Sequence, residues 1–445
     1  MFGALRQPDE LNTISKESKL MNPYLKLDQA SRREFMLRTA KAALGVSVLS
    51  GLNNEAFGAS AAAPAGKGGK AKAVIYLYMA GGMSHIDTFD PKTGETKGFK
   101  DPIKTNVSGI QLGGYMTKMA EQMDKITIVR SMTSKTGVHE DGTYIMHTGY
   151  EPRGTIVHPT LGSWAQHFKG RSHKTLPSSV VVGAGTANAG FFPPALAPLP
   201  ISSPEAGLQN SKSAVGDSMF KKRVGLLNEF DSAFRDKYRS AEVKAYTEFY
   251  DETMNLLTSS DLEAFDLTKE DQSTRTMYGN GFGQGCLLAR RLVQNGVRFV
   301  EVRTGGWDMH NTIDDAMGRT GAGMDNAFAA LLADLKRTGL LDSTLVVLGS
   351  EFGRTPNINE NDGRDHYPKV YSTVFAGGGV KGGYVYGSSD PAGKEVADKP
   401  VTVQDFIATI GAAMGLPVDE TVMSPSGRPF RVGDMKSTVV ADIFA

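Results

Sequence analysis

VIYLYMAGGMSHIDTFD, residues 74–90, is the stretch whose reading decides the fold. Val74 to Met79 is an apolar run of strand length, and the glycines and polar residues behind it end the run abruptly. A strand without polar alternation is buried on both faces, as in a parallel sheet covered by helices. The arrangement recurs twice, in Val297 to Arg303 before TGGWDMH and in Thr344 to Leu348 before GSEFGR. All three following loops carry Asp or Glu, and the first two add His; GRDHYP at Gly363 to Pro368 supplies one more Asp and His. Side chains at the carboxyl ends of parallel strands converge on one crevice, so ligands distant in sequence meet there. Imidazole and carboxylate together are the donors of a metal-centred site.

Outward from these runs the chain alternates. Ile126 to Arg130, Ser179 to Val182 and Tyr371 to Ala376 read as further strands. Met116 to Met123, Asp141 to Thr148, Leu161 to Phe168, the segment around Cys286, Asp325 to Thr338 and Val403 to Met414 read as helices. Strand–helix alternation predicts a doubly wound, mostly parallel α/β sheet with helices on both faces and right-handed crossovers. From about 214 to 257, charges interleave with Phe, Leu, Tyr and Met at helical spacing, which predicts a helical insertion.

The 445 residues carry 49 Lys and Arg against 48 Asp and Glu, so no basic excess serves a nucleic-acid partner. Cys286 is the single cysteine, which excludes an intramolecular disulfide framework; its helical setting predicts a buried thiol. Ser31-Arg32-Arg33-Glu34-Phe35-Met36, the apolar Ala42 to Leu52 and the small residues Ala59-Ser60-Ala61 have the order of a twin-arginine export signal. The apolar part is shorter than the about 20 residues that span a bilayer, so the mature chain, 62–445, is expected in the periplasm or secreted without an integral membrane span.

From Ala73 onward the chain resembles an exported bacterial family, domain-of-unknown-function family 1501, through GGMSHIDTFD, CLLARRLVQNGVRFVEV, GGWDMH, EFGRTP, GRDHYP and AGGGVKGGYVYG. That family is similar in turn to the alkaline phosphatase and sulfatase superfamily, which implies one or two divalent metals at the carboxyl edge of the sheet. HTGY at 147–150, GSEFGR, and PVTVQDFIATIGAAMGLP from Pro400 resemble the superfamily's parts in the same order. Carried over residue by residue, the resemblance implies that Asp308, His310 and His366 hold one metal. It sets His85 and Asp87 at the first metal carboxylate and Glu351 at a later acid. Phe352 replaces the histidine expected after that acid, removing a nitrogen ligand from a second site. Where the superfamily has its Ser, Thr or Cys nucleophile stands Val138-His139-Glu140, with Thr133, Ser134 and Thr136 just upstream. His139 is therefore a ligand, a phosphoryl-accepting nucleophile or a general base.

The expected function is metal-dependent hydrolysis of a phosphate or sulfate ester, small or polysaccharide, with Zn, Mn, Ca or Mg as cofactor and Arg354 or Lys381 neutralising the transferring group. The rival expectation is a binding or surface-assembly protein that keeps the fold without the nucleophile. Asp90 before Pro91 is expected to start a turn, His147 is either a core histidine or a site residue, and the AGGGVKGG loop is either an anion cradle or a glycine turn.

Overall fold

The computed structural model describes residues 69–184, 187–211, 215–238 and 240–445. The export signal read from residues 1–61 lies outside them. The core is a nine-stranded sheet. Its strands are β1 (Ala73–Met79), β2 (Ile126–Thr133), β3 (Ser179–Val182), β4 (Leu199–Ile201), β5 (Phe299–Thr304), β6 (Thr344–Gly349), β7 (Tyr371–Gly377), β8 (Tyr384–Tyr386) and β9 (Val401–Thr402). Their spatial order is β8-β2-β7-β6-β1-β5-β3-β4, with β9 beside β2. β1 lies at the centre, parallel to β5 (Val74 beside Phe299) and to β6 (Val74 beside Leu345). β7 runs antiparallel to both of its neighbours, and every other pairing in the sheet is parallel.

Helices cover both faces. On one lie α1 (His139–Thr148), α2 (Leu161–Lys169) and α7 (Val403–Ala413), where Ile145, Trp164, Phe406 and Ile410 share a core with Val74, Tyr76, Tyr78 and Val347. On the other pack α5 (Phe282–Gln294) and α6 (Ala322–Arg337). α5 meets the sheet closely at Gly285, where a Cβ would stand 2.7 Å from Val302 Cγ1. Cys286 is buried there, and burial pushes its thiol well above the usual range. α7 opens with a reciprocal capping box between Thr402 and Asp405, and α1 closes on left-handed Gly149. No helix among the described residues is long and apolar enough to cross a membrane.

Local departures from the sequence reading have physical causes. The helix expected over 116–123 is a single turn, Thr117–Ala120, whose Lys118 and Met119 amides are bound by the distant Asp325 carboxylate at 2.9 and 2.7 Å. The insertion divides into α3 (Asp217–Lys237) and α4 (Ala241–Leu257), the second opened by the Ser240 cap. Strand β5 begins at Phe299, because the Val297 amide turns back to Leu292 O at the end of α5.

Candidate metal centre

Three loops leave the carboxyl ends of neighbouring strands β1, β5 and β6. Gly81 (φ +125°) and Gly82 (φ +79°) let the first pass tightly: a Cβ at Gly81 would stand 2.3 Å from the Asp308 amide nitrogen, and one at Gly82 would stand 2.6 Å from the Phe352 ring. The β5 loop delivers Asp308 and His310, with Trp307 buried beside them. The β6 loop delivers Glu351 and Phe352, then a short ribbon pairs Arg354 with His366. His139 enters as the first residue of α1.

These residues meet at Asp308 Oδ1. His310 Nε2 lies 3.0 Å from it, His366 Nε2 3.1 Å, His139 Nε2 3.3 Å and an Arg354 terminal nitrogen 2.5 Å. His310 and His366 also face each other, Nε2 to Nε2, at 3.0 Å. His139, Asp308 and His366 each turn a ligand atom to within 4.8 Å of the others. The opposite ring nitrogens are all tied to acceptors: His366 Nδ1 donates to Gly137 O (2.7 Å), His310 Nδ1 to Asp365 (3.0 Å) and His139 Nδ1 to Glu351 (2.7 Å). With Nδ1–H spent, the neutral tautomer of each ring turns its Nε2 lone pair toward Asp308.

One carboxylate oxygen cannot accept from an arginine and three imidazoles at once. The buried His139 Nε2 has no hydrogen-bond partner. A cation between Asp308 and the His310 and His366 rings relieves that crowding and leaves the His139 Nε2 lone pair free. Tetrahedral Zn–N bonds of about 2.0–2.1 Å set neighbouring donors about 3.3 Å apart. The Asp308, His310 and His366 triangle, with sides of 3.0, 3.0 and 3.1 Å, fits one face of such a polyhedron with little movement. Burial opposes ionisation of Asp308, but the Arg354 and His366 hydrogen bonds outweigh it and hold the carboxyl well below the usual range. Its side chain remains half exposed, so the centre opens to solvent.

The other candidates stand elsewhere. Glu351 is buried, and its Oε1 accepts from the Gly81 amide (2.8 Å) and His139, while its Oε2 accepts from the Tyr78 hydroxyl (3.0 Å). It orients an imidazole and has no oxygen left on that side for an ion. Arg354 is wholly buried, and its donors go to Gly81 O, Gly82 O, Arg364 O and Asp308. With four of its five N–H groups so engaged and the side chain wholly buried, Arg354 anchors Asp308 rather than facing a substrate. His85 and Asp87 are not brought to the cluster. His85 is buried with Nε2 on Gly393 O (2.9 Å), and burial lowers its pKa; Asp87 pairs with buried Arg364 at 2.7 Å. Lys381 lies at the far edge, since antiparallel β7 ends beside the start of β6, and its ammonium binds Asp442 O. The glycine loop is thus a turn away from the site. Asp90 binds Ser389, Lys92 and Arg130 rather than starting a turn with its side chain.

His147 is a core histidine. Nδ1 meets Thr143 O at 2.6 Å and Nε2 meets Glu301 at 2.7 Å, so both ring nitrogens face acceptors and the ring bridges α1 and β5. Phe352 packs against both His139 and His366, with ring centroids 5.0 and 4.8 Å apart, giving the centre an apolar floor. Sequence reasoning missed the orienting Gly137 carbonyl and Asp365; the adjacency of Asp365 to His366 in GRDH was the available signal. Among the described residues, no Ser, Thr or Cys side chain is hydrogen-bonded to Asp308, His139, His310 or His366. Thr133 reaches Val401 O at 3.4 Å, and Thr136 accepts the Val138 amide at 3.0 Å.

A mostly parallel sheet covered by helices on both faces, with a His and Asp cluster at its carboxyl edge, defines an α/β protein. The chain belongs to the family described as protein of unknown function (DUF1501), whose model matches residues 71–444. No curated protein matches it. Among solved structures it is similar to the lipoteichoic acid synthase LtaP from Listeria monocytogenes, at 9% identity over 80% of this chain and 74% of that one, with a TM-score of 0.38. It is similar to the PsFucS1 sulfatase from Pseudoalteromonas sp., at 12% identity over 93% and 77%, TM-score 0.38. It is also similar to alkaline phosphatase from the Antarctic bacterium TAB5, at 13% identity over 69% and 91%, TM-score 0.31.

Proposed function

We propose that this protein is an exported, metal-dependent hydrolase of phosphate or sulfate esters, small or polysaccharide, with a single divalent ion. The observation that carries the proposal is the convergence of three imidazole Nε2 atoms on one oxygen of Asp308. Asp308, His310 and His366 hold the ion, and their nitrogen-rich set suits Zn or Mn better than Ca or Mg, which take oxygen ligands. When bound, the ion supplies Lewis-acid polarisation of an ester oxygen. His139 keeps its Nε2 lone pair by donating Nδ1–H to Glu351, the arrangement of a general base that takes a proton from attacking water. Arg354 fixes Asp308 in the orientation the ion requires. Phe352 fills the place of a second nitrogen ligand with an aromatic ring.

One observation favours the rival reading of a binding protein: among the described residues, no Ser, Thr or Cys side chain is hydrogen-bonded to the cluster. Metal-reconstituted protein assayed on a mixed panel of phosphate and sulfate esters separates the two. Turnover that disappears in Asp308→Ala supports the hydrolase. Bound metal without turnover on any ester supports the binding protein.

A further inference from the structure

Asp87 bonds to none of the three residues assigned to the ion, yet each of them leads back to it through Arg364. The pair is buried on both sides, and Arg364 Nε donates to Asp87 Oδ2 at 2.7 Å with a terminal nitrogen 3.4 Å from Oδ1. The Ser84 hydroxyl donates to the same Oδ2 at 2.5 Å and fixes the carboxylate on the β1 loop. The other terminal nitrogen of Arg364 donates to Thr355 O at 3.0 Å and to Pro356 O, behind β6.

The backbone around Arg364 completes the connection. Its amide donates to Met309 O at 3.0 Å. At Gly363 a Cβ would stand 2.0 Å from the His310 carbonyl carbon, so the chain lies directly on the loop that carries His310. The Arg364 carbonyl accepts from an Arg354 terminal nitrogen at 2.9 Å, and Arg354 in turn holds Asp308. His366 follows two residues later. A buried ion pair contributes little net stability, because apolar residues of similar volume commonly serve as well or better. What a planar guanidinium on a carboxylate adds is a fixed direction. We propose that Asp87 and Arg364 are positioning residues of the metal centre, holding the loops behind β1, β5 and β6 in the register at which Asp308, His310 and His366 fit one ion. This role rests on the reading of those three residues as ligands, and the two can fail separately.

The zinc affinity of the purified full chain, measured by competition with a chelator, tests the role, with circular dichroism and thermal unfolding of the metal-free protein recorded alongside. Asp87→Asn keeps the shape and removes the charge. It should weaken zinc binding about 10- to 100-fold, the range usual for residues that orient ligands from behind, while the metal-free protein keeps the wild-type circular dichroism. Ser84→Ala, which takes one donor from Asp87, should weaken binding in the same direction by less, and it decides the matter if Asp87→Asn does not fold. Asp87→Asn with Arg364→Gln should bind zinc no more weakly than the weaker single variant, because both changes break one unit. A purely structural pair gives a lower unfolding midpoint with unchanged zinc affinity in every folded variant; that result overturns the role, and so do losses that add in the double variant. His310→Ala tells the two failures apart. If it abolishes zinc binding while Asp87→Asn and Ser84→Ala leave it unchanged, the positioning role alone is wrong; if it too changes nothing, the ligand reading fails and the role falls with it.

Discussion

At Asp308 the surroundings of a single oxygen separate ligand from base. Three imidazoles surround it, but only His139 has its distal nitrogen on a buried carboxylate. We therefore expect His310→Ala to lower bound metal well below one equivalent by elemental analysis. His139→Ala should retain the metal and lose about 10²- to 10⁴-fold in ester hydrolysis. Metal lost equally in both variants would make His139 a ligand. A second residue-scale test concerns Glu301. Burial acts to raise its pKa, and the interactions with His147 and Arg303 override it, bringing it down to about 2 from an ordinary 4.5. A depressed carboxyl contributes stability above its unfolded value, and that contribution disappears as pH falls from about 4.5 toward 2. The midpoint of thermal unfolding should therefore fall less between pH 6 and pH 3 in Glu301→Gln than in wild type. His147→Ala, which leaves Arg303 as that carboxylate's remaining partner, should cost about 1.5–3 kcal/mol by denaturant titration at pH 7.

Among the elements, the buried strands were the most legible. Ser179–Val182 carries its own signal, the three consecutive valines Val180 to Val182, and it forms as read. The turn at Thr117–Ala120 was not legible, because the carboxylate that caps it lies some two hundred residues away. Asp308 and His310 emerge a few residues beyond the end of β5, but His366 arrives through the ribbon that pairs it with Arg354, and only the family resemblance grouped the three. His85 and Asp87 follow a strand equally closely, yet the amides of Thr88, Phe89 and Asp90 all fold back onto His85 O, and the turn carries both side chains into the interior. Adjacency to a strand gives a residue's place and not its direction. The tight passage of the β1 loop yields its own expectation. At Gly81 a methyl group would meet both a positive φ and the Asp308 backbone. Gly81→Ala should therefore destabilise by about 2 kcal/mol or more and lower metal content, measured by thermal unfolding and elemental analysis on one preparation.

For the whole molecule, the export reading rests on Arg32 and Arg33, and replacing both with Lys should leave precursor in the cytoplasm on cell fractionation. The position of β1 gives the proposed export route a kinetic meaning. The first strand of the domain is the middle of the sheet, and its partners are Phe299–Thr304 and Thr344–Gly349. A ribosome must therefore synthesise more than two hundred further residues before β1 acquires either parallel neighbour. Non-local pairing of this kind folds slowly and exposes unpaired edges meanwhile. Threading such a chain unfolded through a membrane would deliver those edges separately to the far side. The proposed twin-arginine route, which carries folded proteins, would let the core close before the chain crosses.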